Sequence, residues 1–110
     1  MQKERLAAHL ERYHLGAQSA ATSRELERAF SIKGKKLRQL VNSLRREGIP
    51  IGSNGNGYFY AATEPEVRAT IGHMRRRIGG IAAAIRGLER SLDRFDDRQT
   101  RLPLEGGDGP

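Results

Sequence analysis

The stretch that decides the fold is Thr22-Ser23-Arg24-Glu25-Leu26-Glu27-Arg28-Ala29-Phe30, then Ser31-Ile32-Lys33, then Gly34 to Glu47, then Gly48-Ile49-Pro50-Ile51 and Tyr58-Phe59-Tyr60 around Asn/Gly-rich residues. Thr22 with Glu25 three residues on is a capping-box pattern, so a short helix is expected from about Ser23 to Phe30, burying Leu26, Ala29 and Phe30. A turn of three or four residues leads to a second, basic helix over about Gly34 to Glu47, which Gly48 ends as a left-handed cap. Ile49-Pro50-Ile51 starts a strand whose proline is tolerable at an edge. Ser53-Asn54-Gly55-Asn56-Gly57 supplies the positive φ of a hairpin tip, and Tyr58-Phe59-Tyr60 returns. Ile49, Ile51, Tyr58 and Tyr60 face the core, which turns Phe59 the other way, onto a later helix or against a ligand's groove.

At 100° per residue, Leu37, Leu40, Val41 and Leu44 fall on one arc of the basic helix. Opposite them lie Lys35, Gln39, Asn42 and Arg46, with Lys36, Arg38 and Ser43 on the flanks. The presented face holds no acid and no large apolar residue. Its Arg, Lys, Gln and Asn carry the donors and acceptors that match base edges, Arg or Lys with guanine and Gln or Asn with adenine. A polar helix face is more often merely solvated. What favours base reading is the context, a helix and turn before it and a hairpin after it.

Ahead of this unit, Gln2 to about Leu15 reads as a helix with Leu6, Leu10 and Tyr13 in an apolar stripe. Residues 1–63 carry eleven Lys/Arg against five Asp/Glu, whereas residues 64–110 carry nine against eight, so most of the formal +7 sits on the first half. That distribution fits an electrostatic footprint for a polyanion. With 110 residues and no cysteine, the chain has room for one small domain plus an appendage and offers no thiolate metal site. No apolar run approaches the roughly 20 residues of a membrane span. We therefore expect a cytoplasmic, nucleoid-associated protein.

Residues 22–61 resemble the winged helix-turn-helix of the biotin operon repressor and similar small bacterial regulators. The matching residues are Ser23 and Leu26, Ile32, Leu37/Val41/Leu44, Leu44-Arg45-Arg46-Glu47-Gly48, Ile51 and Gly57-Tyr58. The resemblance covers about a third of the chain. Where the family commonly caps the third helix with Ser, this chain has Lys33-Gly34. The Gly48-Ile49-Pro50-Ile51 and Gly57-Tyr58-Phe59 wording also looks like small winged-helix proteins of phages and mobile elements. The resemblance implies a DNA-binding winged helix and nothing about biotin.

After the hairpin, Thr63-Glu64-Pro65-Glu66 is a strong helix start. Val67, Ile71, Met74, Ile78, Ile81, Ile85, Leu88, Leu92 and Phe95 then recur at alternating steps of four and three, a heptad seam expected to join copies of the chain. β-Branched a positions lean toward two parallel strands, and the mixed d positions leave direction and stoichiometry open. Gly72, Gly79, Gly80 and Gly87 lie off the seam and cost about 4 kcal/mol of helix propensity together. Because the phase passes through Gly79-Gly80 without slipping, a continuous helix is expected in preference to a break. Arg75-Arg76-Arg77 reads first as a solvated side, then as extra phosphate contact, and least as a membrane surface.

The fold expected is thus mainly α with a small β-hairpin: a winged helix-turn-helix over 1–62, a long oligomerisation helix over 63–96 and a disordered tail over 97–110. No enzyme motif is present, and His9, His14 and His73 lack the spacing of a metal site, so neither catalysis, a cofactor nor a metal is expected. The expected function is sequence-specific binding of double-stranded DNA by a dimeric regulator of transcription at an inverted repeat. Gly34, Lys35, Arg38, Gln39 and Asn42 would meet bases. Ser23, Lys33, Lys36, Arg45, Arg46, Ser53, Asn54 and Asn56 would meet phosphates. The alternatives are a protein-interaction module of a phage or mobile element and a binder of replication or partition sites.

Overall fold

A computed structural model describes residues 1–95, and the tail expected over 97–110 lies outside them. The order is α1 (Gln2–Tyr13), α2 (Ser23–Phe30), α3 (Gly34–Arg46), β1 (Ile51–Asn54), β2 (Gly57–Tyr60) and α4 (Glu64–Ser91), with 3-10 turns at Ala17–Ser19 and Leu92–Phe95. The protein is mainly helical, with one antiparallel hairpin and a long C-terminal helix. No helix among the described residues is long and apolar enough to cross a membrane.

Three of the helix ends have a clear local cause. The Thr22 hydroxyl accepts from the Glu25 N–H at 3.1 Å while the Glu25 carboxylate accepts from the Thr22 N–H at 2.8 Å, completing the capping box. The bond from the Thr22 backbone N–H, and then the Thr22 side chain, hold the Glu25 carboxyl below its ordinary pKa. Helix α3 ends in a Schellman arrangement: Ile49 N–H reaches Leu44 O at 3.0 Å and Gly48 N–H reaches Arg45 O at 2.9 Å, with Gly48 at φ 90°. Helix α2 closes the same way with a residue the sequence did not flag, Ser31 at φ 54°, beyond which Ile32 N–H bonds Glu27 O.

Leu6 and Leu10 of α1, Leu26 of α2, Leu37, Leu40, Val41 and Leu44 of α3, and Ala21 and Ile51 form one buried cluster. Ala7, Phe30, Ile32, Ile49, Tyr58 and Tyr60 pack against it. Two expected core residues do not belong there. Ala29 is exposed on the far side of α2. Tyr13, at 60 % exposure, lies at the end of α1, where its ring stands 5.1 Å from that of His9 and takes the Arg12 guanidinium over its face.

The hairpin pairs Ile51 with Tyr60, Gly52 with Phe59, Ser53 with Tyr58 and Asn54 with Gly57. Phe59 is on the opposite face from Ile51, Tyr58 and Tyr60, as expected, but it is 2 % exposed and so is unavailable to any ligand's groove. Its ring lies across Gly52, where a Cβ would collide with it. The α1–α2 loop extends the sheet in a way that no local pattern announced. Gly16 N–H bonds Tyr60 O at 2.7 Å, Tyr60 N–H bonds His14 O at 2.9 Å, and Ala21 and Tyr58 exchange two bonds of 2.8 Å each. Positive φ in the hairpin falls at Gly57 and not at the tip residues Gly55 and Asn56. Gly57 sits against the Ala21 backbone so closely that a side chain would fall on the Ala21 carbonyl.

The first compact unit is Met1–His73, reaching past the expected boundary at residue 62. Contacts of α4's first turns explain this. Glu66 accepts from the backbone N–H of Ala17 at 2.8 Å and Ala62 at 2.7 Å, and the buried Thr70 hydroxyl accepts from Ser53 N–H at 3.2 Å. The second unit starts at Met74 and carries the rest of α4, which is continuous through Gly79-Gly80. Ile78, Ile81, Ile85 and Leu88 are each more than half exposed along it. The seam was expected to stay helical to Phe95, but the last turn tightens to 3-10 from Leu92.

Two outcomes follow from these contacts. Gly57→Ala will destabilise the protein by about 3 kcal/mol or more, because both its φ and its place against Ala21 exclude a Cβ. Gly55→Ala, with open space around it, will change stability by no more than about 0.5 kcal/mol, and urea denaturation of the pair will show the contrast. Glu66's pKa is lowered chiefly by the N–H groups of Ala17 and Ala62. Its contribution is therefore present above the ordinary carboxylate range and fades as pH falls through its lowered pKa. Thermal melts from pH 7 to pH 3 will show that Glu66→Gln lowers Tm at neutral pH and narrows the gap from wild type at the acid end.

Candidate nucleic-acid interface

Helix α3 presents Lys35, Lys36, Arg38, Gln39, Asn42 and Arg46 to solvent and buries Leu37, Leu40, Val41 and Leu44. The four buried residues fix the helix's rotation, so the exposed face is the one expected from its angular pattern. Lys33 precedes the helix as an exposed N-cap in extended conformation, and its side chain makes no capping bond. Ser23, the first residue of α2, is also exposed.

The two ends of α3 have different neighbours. At the C-terminal end Lys3 of α1 pairs with Glu47 and donates to Ser43 Oγ at 3.2 Å. Arg45 is half-buried; its Nε donates to Ile51 O at 2.8 Å and its Nη2 to Ser53 Oγ at 3.2 Å. At the N-terminal end a Cβ built on Gly34 would meet Glu27 Oε2 at 3.2 Å and Arg38 Nη1 at 3.5 Å. The Glu27 carboxylate therefore lies beside the first turn of α3, where backbone N–H groups and the helix dipole favour a negative charge. No acid is on the presented face of α3 itself, so the sequence pattern of that helix gave no sign of this one. It arrives from α2, seven residues before Gly34.

The residues expected at phosphates divide into two sets. Ser23, Lys33, Lys36, Arg46 and Asn56 are exposed. Arg45, Ser53 and Asn54 are engaged in bracing the hairpin: besides the Arg45 bonds, Asn54 Nδ2 donates to Ala17 O at 3.0 Å and its Oδ1 accepts from Asn56 N–H at 2.8 Å. Of the residues expected at bases, Lys35, Arg38, Gln39 and Asn42 share the exposed face, while half-buried Gly34 is beside Glu27.

The histidines are closer than a helical wheel allows. His14 lies beyond the last turn of α1 at φ −136°, which brings its ring to 5.4 Å from that of His9. His14 Nδ1 is 2.8 Å from Ser19 O, and His9 meets Phe30 edge-on at 5.3 Å. Burial first, and then the neighbouring His14, push the His9 pKa down. Among the described residues no three His, Cys, Asp or Glu side chains converge as metal ligands would. Compared with known proteins, the chain matches no family model, no curated protein and no solved structure.

Proposed function

We propose that this chain is a winged helix-turn-helix protein that binds double-stranded DNA in a sequence-specific way as a dimer, regulating transcription at an inverted-repeat site. The observation that carries the reading is the exposed face of α3, where Lys35, Arg38, Gln39 and Asn42 stand together over a buried aliphatic arc. A helix so held, with donors and acceptors for base edges on its outer side, suits insertion into a major groove. Arg38, Gln39 and Asn42 read bases. Lys33, Lys36 and Arg46 meet phosphates and set register without reading sequence. Arg45 and Ser53 act one step back, by holding the hairpin against α3. The seam of α4 brings two such units together.

A second reading draws on the exposed apolar row of α4. In it the winged helix is a scaffold, and the row receives a different protein. Gel shifts on random and selected duplexes across a salt series separate the two: DNA binding gives a steep salt dependence, and the scaffold reading gives little binding at any salt.

For the proposed site, Asn42→Ala will cost about 1–3 kcal/mol on the selected sequence and relax preference at one base pair. Lys36→Ala will weaken all sequences alike and lower the salt slope by about one. Equal losses on selected and random duplex for Asn42→Ala would remove that residue from base reading.

A further inference from the structure

An unpartnered apolar row runs along the second unit. Ile78 is 65 % exposed, Ile81 57 %, Ile85 51 % and Leu88 68 %. We propose that its occupant is the same row of a second copy, running antiparallel, with the two-fold axis level with Ala83. The inference rests on the reading that α4 pairs copies of the chain, and it adds direction and register.

Charge selects the direction. With Ile78 and Ile85 at a and Met74, Ile81 and Leu88 at d, the flanking e positions are Arg75, Ala82 and Glu89, and the g positions are Arg77, Ala84 and Ser91. In a parallel pair each g position faces the following e position of the other helix. Arg77 would then face Ala82, and Ala84 would face Glu89. No opposite charges would meet, and both Arg75-Arg76-Arg77 runs would lie side by side at one level.

Reversing one helix makes e face e and g face g. Taking Ala83 as the centre, Ile81 of one copy packs with Ile85 of the other, Ile78 with Leu88 and Met74 with Leu92. Arg75 of each copy then faces Glu89 of the other, and by symmetry this happens twice. Arg75 and Glu89 are exposed, and neither belongs to an ion pair among the described residues. At the axis Ala82 faces Ala82 and Ala84 faces Ala84, so the smallest flanking side chains lie where the helices cross closest. Shifting by one heptad toward the C-termini puts Glu89 against Ala82, and shifting the other way puts Arg75 against Ala82 and assigns Glu89 to Arg68 instead. Arg68 is already held by Glu64, with Nε to Oε2 at 2.8 Å. The arginine runs also separate, each moving to the level of Glu89-Arg90-Ser91 on the other copy.

The test uses the full chain. Because the protein has no cysteine, Asp93→Cys provides a single spin-label site. Antiparallel pairing about Ala83 sets residue 93 of one copy level with residue 73 of the other, so the two labels stand about 30 Å apart along the axis at 1.5 Å per residue. Parallel pairing puts them at one level and much closer. In parallel, Arg75→Glu and Glu89→Arg will each weaken the dimer roughly tenfold by sedimentation equilibrium, and the double variant will recover most of that loss. A short label distance, or reversals whose effects simply add, would overturn the antiparallel arrangement while leaving pairing through α4 intact. A chain that stays monomeric at all concentrations would overturn the pairing itself. DNA binding by α3 is read out separately, by gel shift.

Discussion

The orientation of α3 depends on one constraint, the burial of Leu37, Leu40, Val41 and Leu44 against Leu6, Leu10 and Leu26. Burying an aliphatic side chain is worth about 1.5–3 kcal/mol, whereas an exposed ion pair contributes about 0–1 kcal/mol. Four such residues on one arc outweigh anything the cations on the other side do, so the apolar pattern alone decides what faces outward. The polar clamps refine that result. Lys3 reaches Ser43 and Glu47 from α1, and Arg45 reaches Ile51 and Ser53 on the hairpin, so α1, α3 and β1 are tied at the end of α3 where its backbone carbonyls lack helical partners.

These clamps narrow the candidate surface. Sequence reasoning treats every exposed-looking polar residue near a basic helix as available to a ligand. In the folded chain, hairpin residues have competing partners: Ser53 is matched to Arg45 and Thr70, and Asn54 to Ala17 and Asn56. What remains is the exposed face of α3 with Lys33 just before it, Ser23 at the start of α2 and Asn56 at the hairpin tip. Glu27 alters the chemistry at the start of α3. A carboxylate beside Gly34 and Arg38 already supplies the negative charge that a helix N-terminus favours. Contact by a phosphate is therefore better served toward Lys36 and Arg46 than at Gly34.

The parts legible in the sequence were those whose cause lies within a few residues. Thr22 with Glu25 and Gly48 at the end of α3 are local backbone chemistry, and the arc of α3 is a single period. The parts that were not legible involve partners far along the chain. Tyr58 bonds Ala21, Tyr60 bonds Gly16, and Asn54 bonds Ala17, and no periodicity in the α1–α2 loop marks it as a strand-like edge. Period two placed Phe59 correctly on the opposite face from Tyr58 and Tyr60, yet alternation cannot say what covers a face. Tyr13 is exposed because it is the last residue of α1, where the packing runs out before the apolar pattern does. Ala29 is exposed although Phe30 and Ile32 beyond it pack against the core, so there the turn of the helix and not its end decides.

Helix α4 poses the opposite problem, since its local energetics and its observed state conflict. Among the described residues no atom outside the helix's own backbone lies within 4 Å of where a Cβ on Gly79 or Gly80 would stand, so no contact among them requires glycine there. The helix nonetheless runs unbroken across them. Each glycine weakens it by about 1 kcal/mol relative to alanine, while the row that would be stabilised by burial remains in solvent. Ile78, Ile81, Ile85 and Leu88 on a partner's row would gain more than the glycines cost, because each is worth about as much as one or two of them. A helix that is weak alone and strong when paired couples folding of the second unit to association. In the proposed dimer, concentration would then govern both the order of α4 and the joint presentation of two α3 faces.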